Sequence, residues 1–163
     1  MRKFKTADLY DEFSDQVRVA EPVFRSYGSA AGFYGPAATV KVFEDNVLVR
    51  RLLERPGNGR VLVVDGGGSL RCALVGDRLA ALAIRNGWAG LIINGCIRDV
   101  ADIAGMAIGI RALAANPRKS AKAGTGETGV EVRFAGVSFR PGEYVFADAD
   151  GILVAKRNLL EPV

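Results

Sequence analysis

Asp77 and the pair Arg98-Asp99 are separated by twenty residues, and each stands where an apolar segment gives way to charge. The run Leu91-Ile92-Ile93-Asn94-Gly95-Cys96-Ile97 has the length and apolar character of a buried strand, and it delivers Arg98 and Asp99 at its carboxyl end. In open α/β sheets ligands bind at that end. Asp77 follows Gly76 at the start of an amphipathic stretch, where the exposed amides of a helix's first turn, backed by the helix dipole, receive a carboxylate. Arg98 is suited to grip the same anion with a two-pronged guanidinium contact. Asp99 offers a hard oxygen ligand for magnesium or manganese, with water and substrate in the remaining positions. The plainer alternatives are an ordinary helix cap for Asp77 and a surface ion pair for Arg98 and Asp99.

The elements that must position these residues read as an α/β pattern. Thr6 to Phe13 has helical spacing with Thr6 as cap, and Ala38 to Phe43 alternates as a half-buried strand does. Asp45-Asn46 then caps a helix over Val47 to Arg55, which Pro56-Gly57 ends. Arg60 to Asp65 is too uniformly apolar to have a wet face. The helix from Asp77 to Asn86 carries Leu79, Leu82 and Ala83 as its inner stripe, and Gly87 stops it in a left-handed cap. Val100 to Ala104 predicts a helical turn, Ile108 to Leu113 is ambiguous between strand and helix, and Val130 to Val154 reads as consecutive strands. Their turns fall at Ala135-Gly136, Arg140-Pro141-Gly142 and Asp148-Ala149-Asp150-Gly151.

Bulk properties bound the function. With 163 residues, 49% of them apolar, residues 1–163 are expected to form one domain. Cys72 and Cys96 lie in apolar surroundings without disulfide or zinc spacing, which predicts core filling in a reducing compartment. No stretch has the character of a signal or membrane segment, so a soluble, cytoplasmic protein is expected. A net charge of +4 is dispersed, apart from Arg118-Lys119-Ser120-Ala121-Lys122, and lacks interleaved aromatics, so no direct nucleic-acid binding is expected. The absence of histidine removes the usual general base and the commonest transition-metal ligand, leaving oxygen to hold any metal. Gly66-Gly67-Gly68 follows a strand but has neither the Gly-Lys-Ser/Thr ending of a phosphate loop nor the third glycine of a dinucleotide fingerprint. Close backbone approach or a turn with positive φ accounts for these glycines.

Several runs carry a family resemblance: Gly59-Arg60-Val61-Leu62-Val63-Val64-Asp65-Gly66-Gly67-Gly68-Ser69, Gly76-Asp77, Asn86-Gly87-Trp88-Ala89-Gly90, Gly95-Cys96-Ile97-Arg98-Asp99 and Asn116-Pro117-Arg118-Lys119-Ser120. With Phe43-Glu44-Asp45-Asn46 and Gly136-Val137-Ser138-Phe139-Arg140-Pro141-Gly142, the chain resembles the regulator of ribonuclease activity A family over nearly its whole length. The resemblance implies a swivelling β/β/α domain that assembles as a homotrimer, sometimes paired into a hexamer. The family includes 4-hydroxy-4-methyl-2-oxoglutarate aldolases that also decarboxylate oxaloacetate, a bacterial member that inhibits ribonuclease E, and members with an older demethylmenaquinone methyltransferase label. An aspartate followed by twenty residues and Arg-Asp marks the expected aldolases, and Asp77, Arg98 and Asp99 match it. The resemblance therefore implies a divalent cation bound directly by Asp99 and through water by Asp77. It implies a pyruvate moiety held by Arg98 and the amides of Gly76, Asp77, Arg78 and Leu79. The family's larger aldolases add an acidic residue from a neighbouring subunit's C-terminal extension, for which this sequence offers no clear equivalent. A Schiff-base route would instead need a lysine such as Lys41 or Lys119.

Overall fold

The computed structural model describes residues 2–162. Along the chain run α1 (Thr6–Phe13), β1 (Val17–Val19), β2 (Arg25–Tyr27), β3 (Phe33–Lys41), α2 (Val47–Leu53), β4 (Val61–Asp65), β5 (Ala73–Val75) and α3 (Asp77–Arg85). They are followed by β6 (Gly90–Ile97), α4 (Val100–Ala104), β7 (Gly109–Ala115), β8 (Glu127–Thr128), β9 (Val132–Phe134), β10 (Val137–Phe139), β11 (Tyr144–Ala147) and β12 (Ile152–Ala155). The main sheet has the order β1-β12-β11-β3-β4-β6-β7-β2, with β5 added to β6 and β8 to β3, while β9 and β10 form a separate hairpin.

Strands β3, β4, β6 and β7 pair in parallel, and all five residues of β4 are buried. That explains why β4 and β6 read as continuous apolar runs: a parallel strand covered on both faces has no solvent side to mark with polar residues. One face packs Val49, Leu62, Ala80, Ala83, Ile93 and Ile103 against the helical layer of α2, α3 and α4. The other packs Val63, Ile92 and Phe33 against Val132, Phe134 and Phe139 of the hairpin. The layers thus follow the expected β/β/α order, and α1 covers Phe146 and Leu153 at the antiparallel end.

Local chemistry moved some boundaries. Thr6 does not cap α1 with its own side chain; the cap position is Lys5, and Thr6 instead gives its hydroxyl and amide to Asp148 at 2.6 and 2.7 Å. A carboxylate remote in sequence therefore does the work expected of a local cap. Helix α2 ends at Leu53 rather than Arg55, and its first amide, that of Val47, donates to Asp45 Oδ1 at 3.0 Å. In α3 the fully buried residues are Ala80 and Ala83, with Leu79 and Leu82 only partly buried beside them, because the helix approaches the sheet closely through its small side chains. The ambiguous Ile108 to Leu113 segment is strand from Gly109 onward, committed by its parallel register with β6, Gly90 opposite Gly109 and Leu91 opposite Ile110. Among the described residues no helix is long and apolar enough to cross a membrane.

Candidate active site

Two parallel strands bring the separated residues together. Strand β5 lies against the last residues of β6 with Val75 opposite Ile97, and the Arg98 amide donates to the Val75 carbonyl at 2.9 Å. Because the strands point the same way, both chains leave the sheet at one edge, Gly76-Asp77 from one and Arg98-Asp99 from the other. Twenty intervening residues fold away as α3 and β6.

At this edge Asp99 is the N-cap residue of α4 and adopts φ 57°, ψ 37°, a left-handed conformation uncommon for a side chain bearing Cβ. Its carboxylate turns away from its own helix: Oδ2 accepts a hydrogen bond from the Asp77 amide at 3.2 Å, at the N-terminus of α3. The neighbouring Arg78 amide donates to Asp77 Oδ1 at 2.8 Å. Two of the first-turn amides expected to receive an anion are therefore held by the site's own carboxylates. Gly76 permits this approach, since a Cβ there would stand 2.5 Å from Asp99 Oδ2. Arg98 Nε lies 3.9 Å from the same oxygen and its Nη1 is 3.4 Å from the Pro117 carbonyl, so the expected alternative of a tight surface ion pair is met only loosely. The guanidinium keeps donors to offer.

These residues line a cleft of about 790 Å³. Six cationic side chains, Arg50, Arg51, Arg78, Arg98, Lys119 and Lys122, line it against three acidic ones, Glu54, Asp77 and Asp99. The basic cluster at Arg118 to Lys122 thus acquires a place, Lys119 and Lys122 reaching the cleft beside Ser120. Lys41 is absent from the lining, being held in β3 opposite Asp65 and Glu127. Arg50 and Arg51 escaped sequence reasoning because nothing local distinguishes them from the solvated face of a short helix.

Loop 116–124 is stitched to the domain. The Asn116 amide donates to Ile97, the Ala73 amide to Arg118, and the Ala121 amide to Glu44. Buried Asp45 accepts from the amides of Ala123 and Gly124 at 2.8 and 2.9 Å through one oxygen and from Val47 through the other. Burial pushes the Asp45 pKa up, but the hydrogen bonds from Val47, Gly124 and Ala123 outweigh it and hold the carboxyl below its ordinary value. The Lys122 ammonium donates to Asn46 Oδ1 at 2.5 Å, and Asn46 Nδ2 donates to the Leu74 carbonyl of β5 at 3.0 Å.

The glycine loop is structural. The amides of Gly66 and Gly68 donate to the Asn94 carbonyl, and that of Gly67 to Asp65 Oδ1 at 2.9 Å, so each is already paired within the chain. Gly67 and Gly68 have φ of +67° and +73°, and a Cβ on Gly66 would stand 2.8 Å from the Asn94 carbonyl oxygen. Both expected reasons for glycine are present. Cys72 and Cys96 are buried, and burial raises both thiol pKa values, which disfavours the reactive thiolate.

Among the described residues no three histidine, cysteine or acidic side chains gather as a metal cage. The donor set fits a different mode. Asp77 and Asp99 present two carboxylates at the mouth of an open cleft, which suits a hard cation that keeps its other positions for water and a ligand.

A family profile described as RraA-like, Aldolase/RraA, matches residues 6–154. The chain belongs to this family. A relative in the RraA-like family from Cupriavidus taiwanensis, provisionally named 4-hydroxy-4-methyl-2-oxoglutarate aldolase, is 57% identical over 159 residues, covering 94% of this chain and 96% of its own. A crystal structure described as S-adenosylmethionine: 2-dimethylmenaquinone methyltransferase from Geobacillus kaustophilus HTA426 superposes with TM-score 0.96 at 55% identity, covering 98% of this chain and 99% of that one. The structure of the RNA-processing inhibitor RraA from Thermus thermophilis does so with TM-score 0.92 at 46% identity, covering 96% and 94%. Membership of the RraA-like family and the swivelling β/β/α fold are thereby established, and the aldolase relatives support a lyase-type function.

Proposed function

We propose that this RraA-like chain is a carbon–carbon lyase that cleaves 4-hydroxy-4-methyl-2-oxoglutarate-type substrates to pyruvate and decarboxylates oxaloacetate. The observation that carries the reading is the parallel register of β5 and β6, which puts Asp77, Arg98 and Asp99 at the mouth of one cation-rich cleft. Both reactions leave an electron pair on the carbon beside a 2-oxo group, so both require stabilisation of the same developing enolate charge.

In this reading Arg98 binds the substrate's 2-oxo acid end, and the first turn of α3, from Gly76 through Asp77 and Arg78 to Leu79, presents the positive end of the helix dipole to it, while the Asp77 and Arg78 amides are engaged by the Asp99 and Asp77 carboxylates. A divalent cation, magnesium or manganese, would be held directly by Asp99 and through water by Asp77. When bound, that cation supplies Lewis-acid stabilisation of charge on the 2-oxo oxygen. Asp77 also orients the water that takes the 4-hydroxyl proton, a task that falls to solvent because the chain has no histidine. Arg98 contributes a fixed positive charge that needs no proton transfer. A Schiff base on Lys119 is not required by any step. Assembly as a homotrimer or hexamer belongs to the same proposal.

A second reading, a regulator that binds ribonuclease E, is favoured by the likeness to the RNA-processing inhibitor. It makes no use of Asp77 or Asp99. The methyltransferase reading gains nothing from the glycine loop, whose amides are spent within the chain.

The test is pyruvate release from 4-hydroxy-4-methyl-2-oxoglutarate and from oxaloacetate, with magnesium, with manganese and with chelator, alongside Asp99→Ala. Cation-dependent turnover that disappears in a folded Asp99→Ala protein supports the lyase. No turnover above a cation-only blank overturns it in favour of the regulator.

A further inference from the structure

The cleft holds more positive charge than one carboxylate and the known pairings use. Arg50 is matched by Glu54 at 2.9 Å, and Arg98 lies near Asp99. Among the described residues Arg51, Arg78, Lys119 and Lys122 make no ion pair. A cation held by Asp77 and Asp99 would add to the surplus.

Lys122 is the best-defined member of that surplus. Asn46 fixes its ammonium from one side and is itself fixed to β5, the strand that ends at Gly76. Its loop is held by the Asp45 carboxylate, whose oxygens accept backbone amides, and among the described residues no carboxylate forms an ion pair with Lys122. An ammonium has three donors, and Asn46 takes one. Desolvation, and after it the positive charge of Arg98, lowers the Lys122 pKa against the opposing pull of Asp45, so a bound dianion that reaches both cations would relieve their repulsion.

We infer that Lys122, flanked by Lys119, forms a second anion subsite that receives the distal carboxylate of a 2-oxo dicarboxylic acid whose 2-oxo acid end lies on Arg98. The inference rests on the lyase reading for the placement of that end, and it assigns the substrate's far end to residues outside the Asp77, Arg98 and Asp99 constellation. A 2-oxo acid with a neutral tail leaves Lys122 unmatched, so selectivity for two carboxylates is built into the loop rather than into the reacting groups.

The experiment compares binding of 2-oxoglutarate and 2-oxopentanoate by calorimetry, with magnesium and again with chelator. The two have equal chain length, differ by the distal carboxylate, and lack the 4-hydroxyl that cleavage needs. Wild-type protein is expected to bind 2-oxoglutarate about tenfold more tightly, the value of one partly exposed charged hydrogen bond. Lys122→Met should collapse that ratio toward one, and Lys122→Arg, which keeps the charge, should restore most of it. Equal binding by wild type, an unchanged ratio in Lys122→Met, or no binding of either compound overturns the subsite. Pyruvate release is measured separately, so equal binding of the two acids by wild type with turnover intact rejects the subsite alone, whereas absent turnover rejects the lyase.

Discussion

Gly76→Ala is the sharpest perturbation of the site because it adds one methyl group without straining the backbone. Gly76 has φ −123° and ψ −167°, extended values that alanine adopts freely. The new Cβ would stand 2.5 Å from Asp99 Oδ2 and 3.4 Å from Arg98 Cγ. Ordinary contact begins near 3.4 Å, so the carboxylate must retreat by roughly 0.9 Å while the arginine stem stays in place. The obstructing atom is the end of a partly exposed side chain, so folding should lose less than about 1 kcal/mol, or about 4 °C in Tm. On the lyase proposal, turnover should lose far more, because a displacement of about 1 Å at a reacting centre costs on the order of 100-fold in rate. The assay is pyruvate release set against thermal unfolding of the same preparation. Wild-type turnover in Gly76→Ala would show that the position of the Asp99 carboxylate does not matter to the reaction. A fall in Tm of 10 °C or so, beyond what about 2 kcal/mol explains, would show instead that Gly76 serves the fold.

Two further outcomes test the scaffold. Burial pushes the Asp148 pKa up, but hydrogen bonds from the Thr6 hydroxyl and amide and from the Asp150 amide hold it below its ordinary value. A depressed folded-state pKa contributes stability above the ordinary carboxylate range, and that contribution is lost as pH falls through the folded value. Asp148→Asn should therefore cost about 1–2 kcal/mol at neutral pH and flatten the acid limb of a Tm-against-pH profile; an acid limb parallel to wild type would refute the assignment. Phe33 is fully buried, lies over Gly90 and Gly109, and has the Arg111 guanidinium 5.3 Å from its ring. Phe33→Ala should lower urea-unfolding stability by about 3–5 kcal/mol, and a loss below about 1 kcal/mol would mean that the two layers collapse into the space.

What the sequence made legible was whatever depends on near neighbours. Strands β4 and β6 declared themselves by their largely apolar runs, α3 by its stripe and by Gly87 at φ +75°, and the β9–β10 hairpin by Ala135-Gly136, both at positive φ. The features it concealed are settled across long stretches of chain. Asp148 caps α1 from the far end of the sequence, and β7 is a strand because β6 offers it a parallel partner. The three residues of β2, exposed Arg25 and Ser26 and partly buried Tyr27, are too few to show an alternation that would separate a strand from a loop. In the site, Asp77, Arg98 and Asp99 were found through the ends of their elements. Arg50, Arg51 and Asn46 were not, since only the tertiary arrangement brings α2 over the same edge. Lys119 and Lys122 stood out as a cluster, but a run of charge looks the same whether it meets a ligand or water.

The Gly66–Cys72 detour has a consequence for how such a molecule diversifies. Strand β4 accompanies β6 only as far as Asn94; the chain then leaves the sheet and rejoins the same flank of β6 as β5, opposite Cys96 and Ile97. Both margins of the excursion are clamped, by the Asn94 carbonyl where it departs and by the Arg118 carbonyl where it returns. Its outer surface carries exposed Leu70, and Arg71 over exposed Phe43, none of which lines the Asp99 cleft. Substitutions in this outer loop can therefore redraw the molecule's face without moving a strand end. One chassis is thus free to acquire a new outer surface while the residues at the ends of β5 and β6 stay fixed.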